Sequence, residues 1–119
     1  MKALVIVVAL CGVAFADADK DPEVSAADAA RFVGFFDQVV DTVSTNKDDC
    51  ASMTKSLNAL FDANTGLIAD ANKAKDEGKR LPKASDQHVA AGAQRIVADL
   101  KKCASDKPVQ EAFKRLDKK

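Results

Sequence analysis

The chain has no tryptophan, no tyrosine and a single histidine, His88, and its aromatic content rests on six phenylalanines. A core must therefore be assembled from Ala, Val, Leu, Ile and Phe, which suits close helix packing more than a sheet. No stretch alternates apolar and polar residues in the manner of a strand. There is no Cys-x-x-Cys, no zinc spacing and no glycine-rich phosphate loop. With one histidine and no tyrosine, acid–base and nucleophilic catalysis lack their usual parts. Ser85 is close to His88, yet Asp86 beside it projects from a different helix face. Cys103 is about 20 Å from His88 along a helical rise. Asp37 and Asp41, one turn apart, read as a solvated acidic face, so an enzyme is not expected. The 18 basic and 18 acidic residues cancel, and neither nucleic acid nor an anionic membrane is implied as a partner.

Long hydrophobic runs are also scarce. Ala3 to Leu10 is the one unbroken apolar stretch, and it is too short for a stable transmembrane anchor. Lys2 gives it a positive start and Ala14-Phe15-Ala16 supplies the small-x-small pattern of a cleavage site. Residues 1–16 are therefore expected to be a cleaved secretory signal peptide, leaving 17–119 as a single secreted or periplasmic domain with no stable membrane anchor. A lipoprotein signal using Cys11 is disfavoured by the bulky Leu10. Removal of Lys2 leaves 17 basic residues against 18 acidic ones. Their distribution is uneven: residues 17–49 hold nine acids and three bases, residues 101–119 three acids and seven bases.

What remains is helical in period. The stretch Cys50–Lys75 places Cys50, Met53, Leu57, Leu60, Phe61, Leu67, Ile68, Ala71 and Ala74 at spacings of three and four, one stripe of a long helix. The stripe keeps its phase through Gly66, which predicts a continuous helix, bent at most, with Gly78 as its C-cap. Asn46 or Asp48 is the expected N-cap. Ahead of it, a first helix from Pro22–Ser25 to Ser44 carries Ala29, Phe32, Val33, Phe36, Val39, Val40 and Val43, with its phenylalanines as the heaviest contribution to the core. A third helix from about Pro82 to Ala104 carries Val89, Ala93, Ile96, Val97, Leu100 and Cys103. Its Ala90-Ala91-Gly92-Ala93 segment lets a neighbour approach closely. Asp106 and Pro108 open a short fourth helix with Val109, Ala112, Phe113 and Leu116 inward. Short loops make successive helices antiparallel neighbours. The expected fold is an all-α antiparallel bundle of three long helices and a short C-terminal fourth.

Export leaves two cysteines, Cys50 and Cys103, in an oxidising compartment. Cys50 opens the second helix and Cys103 closes the third. If those two helices form a hairpin about Gly78–Pro82, their arms measure roughly 40 Å and 32 Å at 1.5 Å per residue. The thiols then meet at one end as a structural disulfide. A redox thiol is the weaker reading, because Asp48 and Asp49 oppose a thiolate at Cys50.

Asp17-Ala-Asp-Lys-Asp-Pro-Glu-Val-Ser-Ala-Ala-Asp28 resembles the twelve-residue calcium loop of an EF-hand. Asp17, Asp19 and Asp21 match its first three ligand positions, Glu23 its carbonyl position, Val24 its apolar position and Asp28 its closing carboxylate. Pro22 stands where that loop turns on a glycine, and Asp28 where a longer bidentate Glu is usual. The helix before the loop would be the cleaved signal. An acidic, solvated leader is the plainer reading, with weak calcium binding as the resemblance's implication. No cofactor is expected: haem held as in the periplasmic four-helix cytochromes would need Cys-x-x-Cys-His or a His–Met pair, and Met53 and His88 lie toward opposite ends of the hairpin. The basic residues Lys101, Lys102, Lys107, Lys114, Arg115, Lys118 and Lys119 are expected to face the acidic first helix or solvent. The function these features suggest is a non-catalytic binding module for a protein or small ligand, with a carrier of a small ligand or metal as the alternative. Any site is expected between the first and fourth helices or on the acidic face of the first.

Overall fold

A computed structural model describes residues 22–117, so the expected signal segment 1–16 and Asp17, Asp19 and Asp21 lie outside the described residues. The described chain is all-helical: α1 (Ala26–Thr45), α2 (Cys50–Ala63), α3 (Thr65–Asp76), α4 (Lys83–Asp99) and α5 (Lys107–Lys114), with a final 3-10 turn, Arg115–Asp117. Together they form a bundle with extents of 41 × 26 × 21 Å.

Local chemistry sets the boundaries. Ser25 caps α1 by accepting from Asp28 N–H, so Pro22 precedes the helix instead of opening it. Asp49 caps α2 through Ser52 N–H, a role the sequence suggested for Asn46 or Asp48. Asn46 instead closes α1, its side-chain amide donating to Thr42 C=O. At the far end of α3, Gly78 adopts φ +76°. Its N–H reaches Lys75 C=O and Lys79 N–H reaches Ala74 C=O, the paired bonds of a Schellman stop. Asp106 caps α5 through Val109 N–H.

The long second helix is broken, and the break is at Asn64 instead of Gly66. Asn64 N–H turns to Phe61 C=O, while its side-chain amide takes the Leu60 carbonyl that the regular helix bond would have used. A short polar side chain thus competes with its own backbone, which is why asparagine interrupts where glycine does not. The third helix also ends earlier than its stripe suggests. Leu100 is the C-cap of α4, and Cys103 sits in the turns that follow. Val97, placed on the inner stripe by spacing, is 47 % exposed.

One buried cluster joins the helices. Val39, Val40 and Val43 of α1, Met53, Leu57 and Phe61 of α2, Ile96 of α4, and Val109, Ala112 and Phe113 of α5 meet in it. Phe61 is its centre, with Phe35 and Phe113 rings at 6.1 and 6.4 Å between centroids. The principal helix contacts are α1 with α4, α2 with α5, and α1 with α2. The expected hairpin, with the second and third helices packed side by side, is therefore not what packs: α4 lies along α1. Small residues explain the choice. Gly92 lets Phe36 and Val40 of α1 approach so closely that a Cβ there would meet Phe36 Cε2 at 2.6 Å. Contacts between the two segments come in the same order along both: Pro22 and Val24 with Arg80, Asp37 with His88, Lys47 with Cys103.

Candidate ligand pocket

Residues 22–24 do not join α1 but lie against the turn after α3. Arg80 N–H donates to Pro22 C=O and Val24 N–H donates to Arg80 C=O, both at 2.9 Å. This backbone clasp buries Val24 and holds Arg80 at the end of a pocket between α1, α3 and the start of α4. Phe32, Phe35, Phe36 and Val39 form the α1 wall, Leu67, Ile68, Ala71 and Ala74 the α3 wall, Val89 the α4 contribution, and Leu116 closes one side. The cavity is about 130 Å³, counted as space open to the centre of a water molecule.

Of the phenylalanines expected to weight the core, Phe35 and Phe36 do pack against the buried cluster, and together with Phe32 they also supply this wall. Phe32, Phe35 and Phe36 are all only partly buried. The break at Asn64 contributes as well, because it separates α3, which lines the pocket, from α2, which lines the core. Polar groups are few. Asn72, Lys75, Lys79 and Arg80 are the polar lining residues, and no carboxylate is among the lining side chains. Arg80 is mostly covered. Its guanidinium donates to Leu81 C=O at 3.2 Å and pairs with the half-exposed Glu23 at 2.9 Å, while its Nε is buried without an acceptor among the described residues. Asp86, in the first turn of α4, is buried as well, and one of its carboxylate oxygens has no partner there. Burial pushes its carboxyl above the ordinary aspartate range, against the opposing attraction of Arg80.

The residues singled out by sequence are distributed elsewhere. Cys50 and Cys103 do meet: their sulfurs are 2.11 Å apart and their Cα atoms 5.4 Å apart, a backbone separation suited to a disulfide. Beside them Lys102 pairs with Asp48 at 2.6 Å, and this hydrogen-bonded cation holds the Asp48 carboxyl below its usual range. Of the calcium-loop residues within the described segment, Glu23 pairs with Arg80, and Asp28 with Arg31 at 3.0 Å. Arg31 also reaches Asp70 of α3 at 3.2 Å, and these two carboxylates hold its guanidinium protonated more firmly than usual. Among the described residues no group of three or more His, Cys, Asp or Glu side chains is placed to hold a metal ion. His88 is exposed and its Nε2 lies 2.7 Å from Asp37 Oδ1, tying α4 to α1, while Met53 is fully buried in the core. Of the C-terminal basic residues, Arg115 bonds Asn58 and Asp62 of α2 and lies 5.8 Å from the centre of the Phe61 ring, and Lys114 pairs with Glu111, while Lys118 and Lys119 lie outside the described residues.

The pocket was not visible as such in the sequence. Its apolar walls read as core, and Arg80 and Lys79 read as a turn. The one available signal was excess: α1 carries more bulky apolar residues than a single buried stripe uses. Comparison of the chain with protein-family models, with curated proteins and with solved structures finds no significant match in any of the three.

Proposed function

We propose that the chain is an exported, non-catalytic binding protein whose pocket between α1, α3 and α4 receives a small apolar or amphipathic ligand. The observation that carries this reading is the open cavity with apolar walls from three helices and only four polar residues in its lining. Such concave, mostly apolar spaces with a few convergent polar groups are the usual form of a small-molecule site. Around it, the reading takes residues 1–16 as a secretory signal and 17–119 as one secreted or periplasmic domain. Successive helical arms run antiparallel, and the Cys50–Cys103 bridge closes the end remote from the pocket mouth. The break at Asn64 divides the work, with α2 for stability and α3 for the ligand wall.

Titration with a neutral naphthylamine dye tests the proposal. A saturable rise in fluorescence with one dye per chain is expected. Ala71→Phe, which fills the space between the α1 and α3 walls, should abolish it while leaving the circular dichroism spectrum unchanged. No saturable signal from the folded protein, or an Ala71→Phe variant that binds dye like the parent, would refute it. Export is tested separately, by the mass and free-thiol content of the chain recovered outside the cytoplasm.

A further inference from the structure

We infer that the ligand class is an uncharged, hydrocarbon-rich small molecule held by apolar contact, and that the site selects against amphiphiles with an ionic head group of either sign. The inference rests on the binding reading above and narrows it to one charge state. Four polar residues belong to the lining, and each already has a partner within the protein. Asn72 donates its side-chain amide to Leu116 C=O at 3.0 Å. Lys79 pairs with Glu77 at 3.4 Å. Arg80 is engaged by Glu23 and by Leu81 C=O, and its Nε is buried beyond the reach of a ligand. Lys75 is not free either.

No carboxylate lines the cavity, so an ammonium head group finds no counter-charge there. A carboxylate head group finds cations whose charge is already met, and it must displace Glu23 or Glu77 to gain one. An ion leaves water only where a counter-charge is open to it. Here it stays in the solvent outside and draws the adjoining methylenes out with it. Each methylene withdrawn costs about fourfold in affinity. A neutral molecule meets no such obstacle, and Phe32, Phe36, Leu67, Ile68 and Val89 offer it apolar contact.

The test displaces the naphthylamine dye from the folded protein with 1-octanol, octanoate and octyltrimethylammonium, each below its micelle concentration. Octanol is expected to bind about tenfold or more tighter than either ion, the effect of two methylenes held out of the cavity. From pentanol to octanol, affinity should rise about fourfold per methylene. A Glu23→Gln/Glu77→Gln double variant, which releases Arg80 and Lys79 from their carboxylates, should raise octanoate affinity several-fold and leave that of octanol unchanged. If it leaves octanoate unchanged as well, the engaged cations are not what excludes the anion, and the assignment falls. Either ion bound as tightly as octanol, or an alcohol series without a slope, would overturn the uncharged class and leave the binding reading standing. Dye that does not bind at all would remove the binding reading itself.

Discussion

Gly92 of α4 and Phe36 of α1 are so close that no side chain larger than hydrogen fits between them: a Cβ on Gly92 would lie 2.6 Å from Phe36 Cε2 and 3.2 Å from Val40 Cγ2. Two opposing terms decide the effect of Gly92→Ala. Alanine gains about 1 kcal/mol of helix propensity, and overpacking costs about 1–3 kcal/mol. Phe36 also forms part of the pocket wall, so its ring can yield toward the cavity and soften the clash. The expected result is a net destabilisation of about 1 kcal/mol or less in urea unfolding, together with weaker dye binding as the ring moves inward. Full stabilisation with unaltered binding would show that the two helices are not pressed together at this point.

Gly34 supplies the contrast on α1. It is exposed, and nothing lies within 4 Å of the position its Cβ would take. Only the backbone entropy of glycine counts there, so Gly34→Ala should raise stability by about 0.5–1 kcal/mol. The same urea midpoints measure it, and a loss of stability would mean that α1 has a neighbour at this face.

The bridge between Cys50 and Cys103 spans 53 residues of sequence. Chain-entropy arguments put the stabilisation from closing a loop of that size at about 4 kcal/mol, within the general range of 0–5. A Cys50→Ala/Cys103→Ala double variant should lose stability of that order, and reduction of the parent should reproduce the loss. The pocket lies against Arg80 and Leu116, away from the bridge, so dye binding by the fraction that remains folded should be unchanged. A bridge-free chain as stable as the parent would place the two thiols apart in the native state.

Helical class, most of the core stripe and the Gly78 stop are legible in the spacing of residues, because each depends on local period; the two distant cysteines do meet, though not through the side-by-side hairpin from which their meeting is expected. The failures share a physical cause. The break at Asn64 is not legible because its effect comes from a side-chain bond to the Leu60 carbonyl, whereas the weak propensity of Gly66 is tolerated by this helix. The partner of α4 is not legible because adjacency in sequence favours the second helix, while the space at Gly92 favours Phe36 and Val40 of α1. Phe35 and Phe36 of α1 pack against the core as their spacing predicts, but their second role, with Phe32, as a cavity wall is invisible because a hydrophobic face looks the same in sequence whether a neighbour covers it or a cavity adjoins it. Only the opposite wall, supplied by α3 and the Arg80 clasp, distinguishes the two.

Asp86 gives the last prediction, in which the sign is the test. Burial raises its carboxyl pKa in the folded state above the ordinary aspartate value. Between the unfolded value and that raised value, the folded protein binds more protons than the unfolded chain. Stability from this group must therefore fall as pH rises through that window. Below the window both states are protonated and the group contributes no penalty; above it both are ionised and the penalty is constant. Asp86→Asn keeps the shape and removes the charge, so it should stabilise the protein relative to the parent at neutral pH. That advantage should shrink toward nothing as pH is lowered to about 3, below the ordinary carboxylate range. Urea midpoints of parent and variant across this range measure the difference. An advantage that grew in acid would mean that the carboxylate is stabilised in place, with Arg80 and the α4 N-terminus outweighing its burial.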